Sequence, residues 1–153
     1  MSDVRTAQPE DLDEVRALLS AYACALPFAL DFQDFDEEVA TLPGRYAPPG
    51  GALLVGGSDG RIVGCVGVRG LEGETCEMKR LYVSEAARGS GLGRVLAEAS
   101  IAEARRLGYR RMRLDTVPGM ETAQALYARL GFTEIEPYTL NPVPGARFLE
   151  LEL

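Results

Sequence analysis

The stretch "LYVSEAARGSGLGRVL", Leu81 to Leu96, decides how the rest of the chain is read. An apolar run ends at Val83, glycines alternate at 89, 91 and 93, and an apolar pattern at helical spacing begins at once. Strand, glycine loop and helix in that order expose the unpaired N–H groups and positive dipole end of a helix start. Gly89, Gly91 and Gly93 have no side chains to hold a ligand away, and Arg88 and Arg94 add charge-assisted bonds. The glycines alone are equally a surface turn; with the helix and the arginines they make a site for phosphate or pyrophosphate.

Two common phosphate loops do not fit. A P-loop closes on Gly-Lys-Ser/Thr, whereas this loop closes on Gly93-Arg94-Val95. A dinucleotide fingerprint anchored on Gly89 and Gly91 needs glycine where Arg94 stands. Asp115, at the end of the next predicted strand, does mimic the ribose-binding acid of that fold, which keeps it as a minor alternative.

Composition narrows the chemistry further. The 153 residues include no histidine, so a Ser-His-Asp triad, a Cys-His pair and histidine metal centres are excluded. Three cysteines without paired spacing (Cys24, Cys65, Cys76) read as reduced thiols, not as a disulfide framework or zinc site. Net charge of −7 argues against nucleic acid as a partner. Lys79 to Arg113 nevertheless holds nine basic residues against three acidic ones, +6 in a remainder of −13. A local basic window in an acidic chain suits a compact anion, although Arg105 to Arg113 reads better as a solvated basic surface. The acidic N-terminal segment is not a secretion signal, and the apolar run Ala21–Leu30 is too short to span a bilayer, so no membrane role is expected. Fifteen arginines against one lysine point, by association, to a GC-rich bacterial source, and the reduced thiols to a cytoplasmic protein.

Outward from the loop, the pattern predicts a strand at Val4–Ala7 and a helix from Pro9 to about Pro27, with Leu12, Val15, Leu19, Tyr22 and Leu26 on one face. A short acidic helix follows over Asp34–Leu42, and then the Pro/Gly loop Leu42–Gly51, expected to lack regular structure. "ALLVGG" and "RIVGCVGVRG" form a hairpin across Ser58-Asp59-Gly60, and Thr75–Val83 is the next strand. A helix over Gly91–Gly108, a strand "RRMRLDT", a helix over Glu121–Leu130 and two closing strands complete the order β-α-α-β-β-β-α-β-α-β-β. Antiparallel strands first and a β-α-β unit second predict one mixed α+β domain over residues 1–153, with helices on both sheet faces.

"LYVSEAARGSGLG" resembles the signature of the GNAT acyltransferase superfamily, Arg/Gln-x-x-Gly-x-Gly/Ala after an apolar-x-Val strand end, with Leu81, Val83, Arg88, Gly91 and Gly93 in place. "ALYARLGFTEIEPY" (Ala125–Tyr138) resembles the later motif of that family, and "VRTAQPEDLDEVRALL" its opening strand and helix. The resemblance implies a mostly antiparallel sheet whose fourth and fifth strands splay around acetyl-CoA. It assigns the pantetheine arm to the main chain of Leu81, Tyr82 and Val83. The pyrophosphate goes to the amides of Arg88, Gly89, Ser90, Gly91, Leu92, Gly93 and Arg94. Metal is not implied. The reaction implied is direct attack of an amine on the thioester, which needs orientation, a proton acceptor and a proton donor for the thiolate.

Tyr127 takes the position of the general acid in the resemblance; its plainer role is core packing between Leu126 and Leu130. Glu77 is the candidate general base, acting directly or through water. A surface ion pair with Lys79 or Arg80 is an equal reading, and in this superfamily solvent sometimes replaces the base. Asp115 reads as a turn or capping acid, with Thr116 beside it near the cofactor's path. Acids at 31, 34, 36, 37 and 38 lie where acceptor-site helices belong, though a solvated acidic helix explains them as well. Asn141 sits in a Pro-stiffened segment that either walls the acceptor site or is a rigid turn. The expected activity is N-acetylation of a primary amine on a small molecule such as an amino acid or polyamine. A silent acyl-CoA sensor and a protein or peptide N-acetyltransferase are the alternatives. A homodimer is the assembly left open, with no residue that carries it.

Overall fold

The structure, a computed structural model, describes residues 3–26, 34–58 and 60–153. Asp31, one of the candidate acceptor-site acids, lies outside them. A first strand β1 (Asp3–Thr6) leads into a 3-10 turn at Pro9–Asp11 and helix α1 (Leu12–Ala25). The helix therefore starts three residues later than Pro9 suggests. Asp11 is the reason: its carboxylate accepts the Gln8 N–H at 2.7 Å and two Arg5 N–H groups at 2.6 and 3.0 Å, so the first turn is tied back to β1. Helix α2 (Phe35–Ala40) follows. The Pro/Gly loop is more ordered than its composition predicts, because Gly44–Tyr46 forms a 3-10 turn that delivers Tyr46 to the core at 2% exposure. Its ring lies flat on Gly67, where a Cβ would come within 2.6 Å of it.

Strands β2 (Ala52–Ser58), β3 (Arg61–Glu72) and β4 (Thr75–Val83) form an antiparallel meander, and helix α3 (Leu92–Arg106) returns the chain to β5 (Arg111–Thr116). Helix α4 (Glu121–Leu130) and strands β6 (Thr133–Ile135) and β7 (Arg147–Glu152) complete the α+β fold. The seven strands lie in the order β1-β2-β3-β4-β5-β7-β6, antiparallel everywhere except between β4 and β5. Side chains alternate between two cores, as the two-residue period of a strand requires. On β2, Leu54 joins a cluster with Leu92, Leu96, Ile101 and Leu126 of α3 and α4, while Leu53 and Val55 join Val15, Leu19 and Phe35 of α1 and α2. Burial on both faces explains why β2 and the middle of β3 read as unbroken apolar runs.

The parallel pairing of β4 with β5 is short. It covers only Thr75↔Arg111, Cys76↔Met112 and Glu77↔Arg113. Beyond Glu77 the two strands part, although β4 stays paired to β3 as far as Val83↔Gly64 and β5 to β7 as far as Thr116↔Arg147. A bulge accompanies the parting. The β3–β4 register shifts between Cys65 and Gly67, and Arg80 takes φ 60°, a left-handed conformation rare for a residue with a Cβ. Bulges bend a strand and redirect its side chains, and here one half of the sheet is peeled from the other.

Candidate active site

The gap between β4 and β5 holds a cavity of about 80 Å³ that both faces of the sheet line. Met78 and Tyr127 come from the α3/α4 side, Tyr22 from α1, and Lys79 and Asp115 from the two parted strands. A second cavity, of about 480 Å³, lies on the α2 side under Glu38, Tyr46, Arg69 and Glu77, with Asp34, Glu37, Thr139 and Leu140 also lining it. The two share Lys79 and Asp115. A molecule entering from one side of the sheet and one entering from the other would meet at that pair.

An alternating chain of charges runs along the floor of the larger cavity. Arg80 Nε and a terminal nitrogen donate to the two Glu38 oxygens at 2.7 and 3.1 Å, and Glu38 lies 3.6 Å from Arg69. Arg69 Nε donates to Glu77 Oε1 at 3.0 Å, and a terminal nitrogen lies 3.0 Å from the same oxygen. Lys79 lies 3.9 Å from Glu77 Oε2 and 3.2 Å from Asp115 Oδ1. Three cations thus face three carboxylates, which lets the charges persist under burial. The segment between β6 and β7 clasps this chain twice: Tyr138 Oη donates to Glu77 Oε2 at 2.6 Å, and Asn141 Nδ2 donates to Asp115 Oδ2 at 2.9 Å.

Several expectations change here. Glu77 is not paired at the surface with Lys79 or Arg80; it is 2% exposed, and its main partners are Arg69 and Tyr138. Asp115 is not a turn or capping acid but a buried strand residue joining β4, β5 and the Asn141 segment. The acidic segment is solvated at Asp34, Asp36 and Glu37, whereas Glu38 turns inward onto Arg80. Arg80 reaches it because of the bulge, and its guanidinium also sits 5.0 Å from the Phe35 ring centroid. Asn141 lines the smaller cavity, not the larger one.

Tyr127 is a packing residue that also reaches the gap in the sheet. It packs against Phe132 at 5.6 Å between ring centroids, and it lines the smaller cavity. Burial above all, with Tyr22 and the Asp115 charge adding to it, pushes its phenol well above the usual tyrosine range. The group therefore stays protonated, as a proton donor must. Thr116 lines the same cavity.

The glycine loop lies beside the free edge of β4. Gly91 caps α3 at φ 87° and Gly89 stands at φ 84°, and nothing lies within 4 Å of where a Cβ on either would point. Among the described residues the N–H groups of Gly89, Gly91, Gly93 and Arg94 have no partner, while Leu92 N–H meets only the Ser90 hydroxyl, at 3.4 Å. Arg88 lies over the Tyr82 ring at 5.7 Å and donates to the Val83 carbonyl; Arg94 is exposed beside Glu98. Leu92 contributes its backbone alone, because its side chain is in the core. Unpaired donors on an open concave turn fit a pyrophosphate. Among the described residues no strand pairs with Leu81, Tyr82 and Val83 on their β5 side, which leaves that edge of the main chain open to an extended ligand arm. By contrast Arg106 and Arg110 are exposed and engaged by Glu103 and Glu74, as a solvated basic surface should be, whereas Arg113 is half-buried between Glu150 and the Tyr138 ring.

Reasoning from sequence missed Arg69, Tyr138 and the role of Arg80. Arg69 was not within reach, because counting back from the turn at Gly73 puts Gly70 opposite Glu77, and only the register shift between Gly70 and Glu72 brings Arg69 there. Tyr138 was not either, since no strand register links it to β4.

The model of the Acetyltransferase (GNAT) family matches residues 15–132. An uncharacterized N-acetyltransferase of Schizosaccharomyces pombe is 40% identical over 147 residues, covering 95% of this chain and 90% of that one. Among solved structures, a GNAT-family acetyltransferase of Staphylococcus aureus superposes with a TM-score of 0.82 at 19% identity, covering 99% of each chain. A Salmonella typhimurium protein described as an acetyltransferase, solved with its cofactor acetyl-CoA, gives 0.80 at 24% identity, covering 99% of this chain and 94% of that one. Among the described residues no helix is long and apolar enough to cross a membrane. With the splayed sheet, the open glycine turn and these matches together, the chain belongs to the GNAT acetyltransferase family and is an acyltransferase.

Proposed function

We propose that this acyltransferase moves the acetyl group of acetyl-CoA directly to a primary amine on a small molecule. The observation that carries the reading is the continuity of three features. The glycine turn, the unpaired edge of β4 and the cavity through the sheet form one path that ends beside Tyr127, where the second cavity opens from the opposite side. The path fits acetyl-CoA, whose pyrophosphate the amides of 89–94 would hold and whose extended arm Leu81–Val83 would pair with. Acetyl-CoA supplies a thioester carbonyl already activated toward an amine, so no covalent nucleophile is needed from the chain.

The chain's own residues orient and move protons. Tyr127, kept protonated by burial, donates to the departing thiolate. Glu77 accepts from Arg69 through one oxygen and from Tyr138 through the other, so it anchors the floor of the acceptor cavity. Water in that open cavity carries the amine's proton away. The amine stands against the split in the sheet, which converts an encounter of two solutes into a reaction within one site.

Thiol release from acetyl-CoA, followed with a chromogenic disulfide across amino acids, polyamines, amino alcohols and short peptides, tests the reading. Turnover on at least one small amine is expected. Tight acetyl-CoA binding without turnover on any amine would make the chain a sensor, and turnover on peptides alone would move it to protein acetylation.

A further inference from the structure

We infer that Asp115 is the acceptor-binding carboxylate, and that it selects acceptors arriving as ammonium ions. The inference rests on the reading that the chain acetylates amines; what it adds is the residue that holds the acceptor nitrogen and the charge state it selects. Five carboxylates line the larger cavity, Asp34, Glu37, Glu38, Glu77 and Asp115, but only Asp115 lines the smaller one too. The reacting nitrogen must stand where the cavities meet, since one side holds Tyr127 and the other is the open approach.

Charge compensation separates the carboxylates as well. A carboxylate offers about four lone-pair sites. Glu77 faces two cations: Arg69 Nε donates to Oε1 with a second guanidinium nitrogen at 3.0 Å, and Lys79 lies 3.9 Å from Oε2, which accepts from Tyr138. On Asp115, Oδ1 has one partner, Lys79 at 3.2 Å, and Oδ2 has one, Asn141 at 2.9 Å. Each oxygen keeps a lone pair, and the side chain is held in place from two directions by donors that leave these sites open. An ammonium supplies N–H donors and the charge that makes such bonds strong; it gives one proton to water in the larger cavity before its nitrogen attacks, and a second after the bond to the acetyl carbon has formed. A neutral nucleophile supplies weaker donors and no charge.

The test compares wild type with Asp115→Asn on two kinds of acceptor at neutral pH. One is the best-used of spermidine, lysine and ethanolamine, all cationic; the other is hydroxylamine, which is mostly uncharged there. Asparagine keeps the shape and one acceptor oxygen, which can serve Asn141, but replaces the other by an N–H2 donor and removes the charge that faces Lys79. Loss of a charge-assisted hydrogen bond should raise KM for the cationic amine by about ten- to a hundredfold. KM for hydroxylamine and the Kd for acetyl-CoA should change by less than about twofold. Asp115→Ser serves as a second variant if the asparagine form does not fold, with the same selective loss expected. Equal losses on both acceptors would make Asp115 structural and overturn the inference, as would no loss on either. A wild-type protein that binds acetyl-CoA yet acetylates no amine would overturn the underlying reading and this inference with it, an outcome visible before any variant is made.

Discussion

Lys79 Nζ lies 3.2 Å from Asp115 Oδ1 across the gap where β4 and β5 stop pairing, and both side chains are less than a tenth exposed. Below this point main-chain bonds hold the strands together; above it, this ion pair links their side chains. Removing one partner of a buried pair leaves the other charge without compensation, at a cost of about 3–5 kcal/mol. Lys79→Met is expected to lower stability by that amount in urea denaturation. Arg94→Ala, which breaks the largely exposed pair with Glu98, should cost less than about 1 kcal/mol in the same measurement. Equal costs would mean that the pair contributes nothing at the split.

Tyr127→Phe keeps the ring that packs on Phe132 and deletes the hydroxyl that faces the small cavity. Loss of a general acid lowers turnover by about a hundredfold or more. The Kd for acetyl-CoA, measured by calorimetry, should stay within about twofold. Full turnover in this variant would leave Tyr127 as packing alone.

Gly91 stands at φ 87° at the head of α3. Gly91→Val adds backbone strain of about 1–3 kcal/mol and puts a side chain on the open face of the turn. Arg88→Ala tests the same turn without strain, removing one charge-assisted contact worth about tenfold in affinity. Both variants should bind acetyl-CoA more weakly by calorimetry, the valine variant more so. Unchanged affinity in both would sink the assignment of the turn to the pyrophosphate.

Legibility in the sequence followed the range of the interactions. Strand Thr75–Val83 and helix Glu121–Leu130 were readable to the residue, because turns at both ends and a clean period bound them locally. The 3-10 turn at Gly44–Tyr46 was not, since it is held by Tyr46 packing on Gly67 of β3, a contact that Pro/Gly composition does not encode. The same division runs through the site. The glycine turn is a local motif and was legible, whereas the chain from Arg80 through Glu38, Arg69, Glu77 and Lys79 to Asp115 draws on α2, β3, β4 and β5. A bulge at Arg80 brings its first pair together, and nothing in "EMKRLYV" announces a bulge. Asp115 looked like a strand-end acid because its partners Lys79 and Asn141 are 36 and 26 residues away.

Cysteine reactivity follows from burial. Desolvation pushes the thiols of Cys65 and Cys76 up to about 12, so almost no thiolate forms there near neutral pH, whereas Cys24 is exposed on α1. Titration with a chromogenic disulfide should find one fast thiol per native chain and three after denaturation. Cys24→Ser should abolish the fast phase; fast reaction of a second thiol would mean that the sheet opens around Cys65 or Cys76.

Acid stability should depend on the joint between β1 and α1. Hydrogen bonds from Arg5, then the Gln8 N–H, hold the Asp11 carboxyl down from 3.8 to about 2. A carboxyl depressed in the folded state adds stability that is fully present above its unfolded pKa and is lost as pH falls through the folded one. For Asp11 that window runs from about pH 4 down to about 2. The stability difference between wild type and Asp11→Asn, from urea melts followed by circular dichroism, should be constant above the window and shrink through it. Arg5 is half exposed, so added salt should reduce the difference as well. A difference that stays constant through the whole window would show that Asp11 is no more ionised in the folded protein than in the unfolded chain.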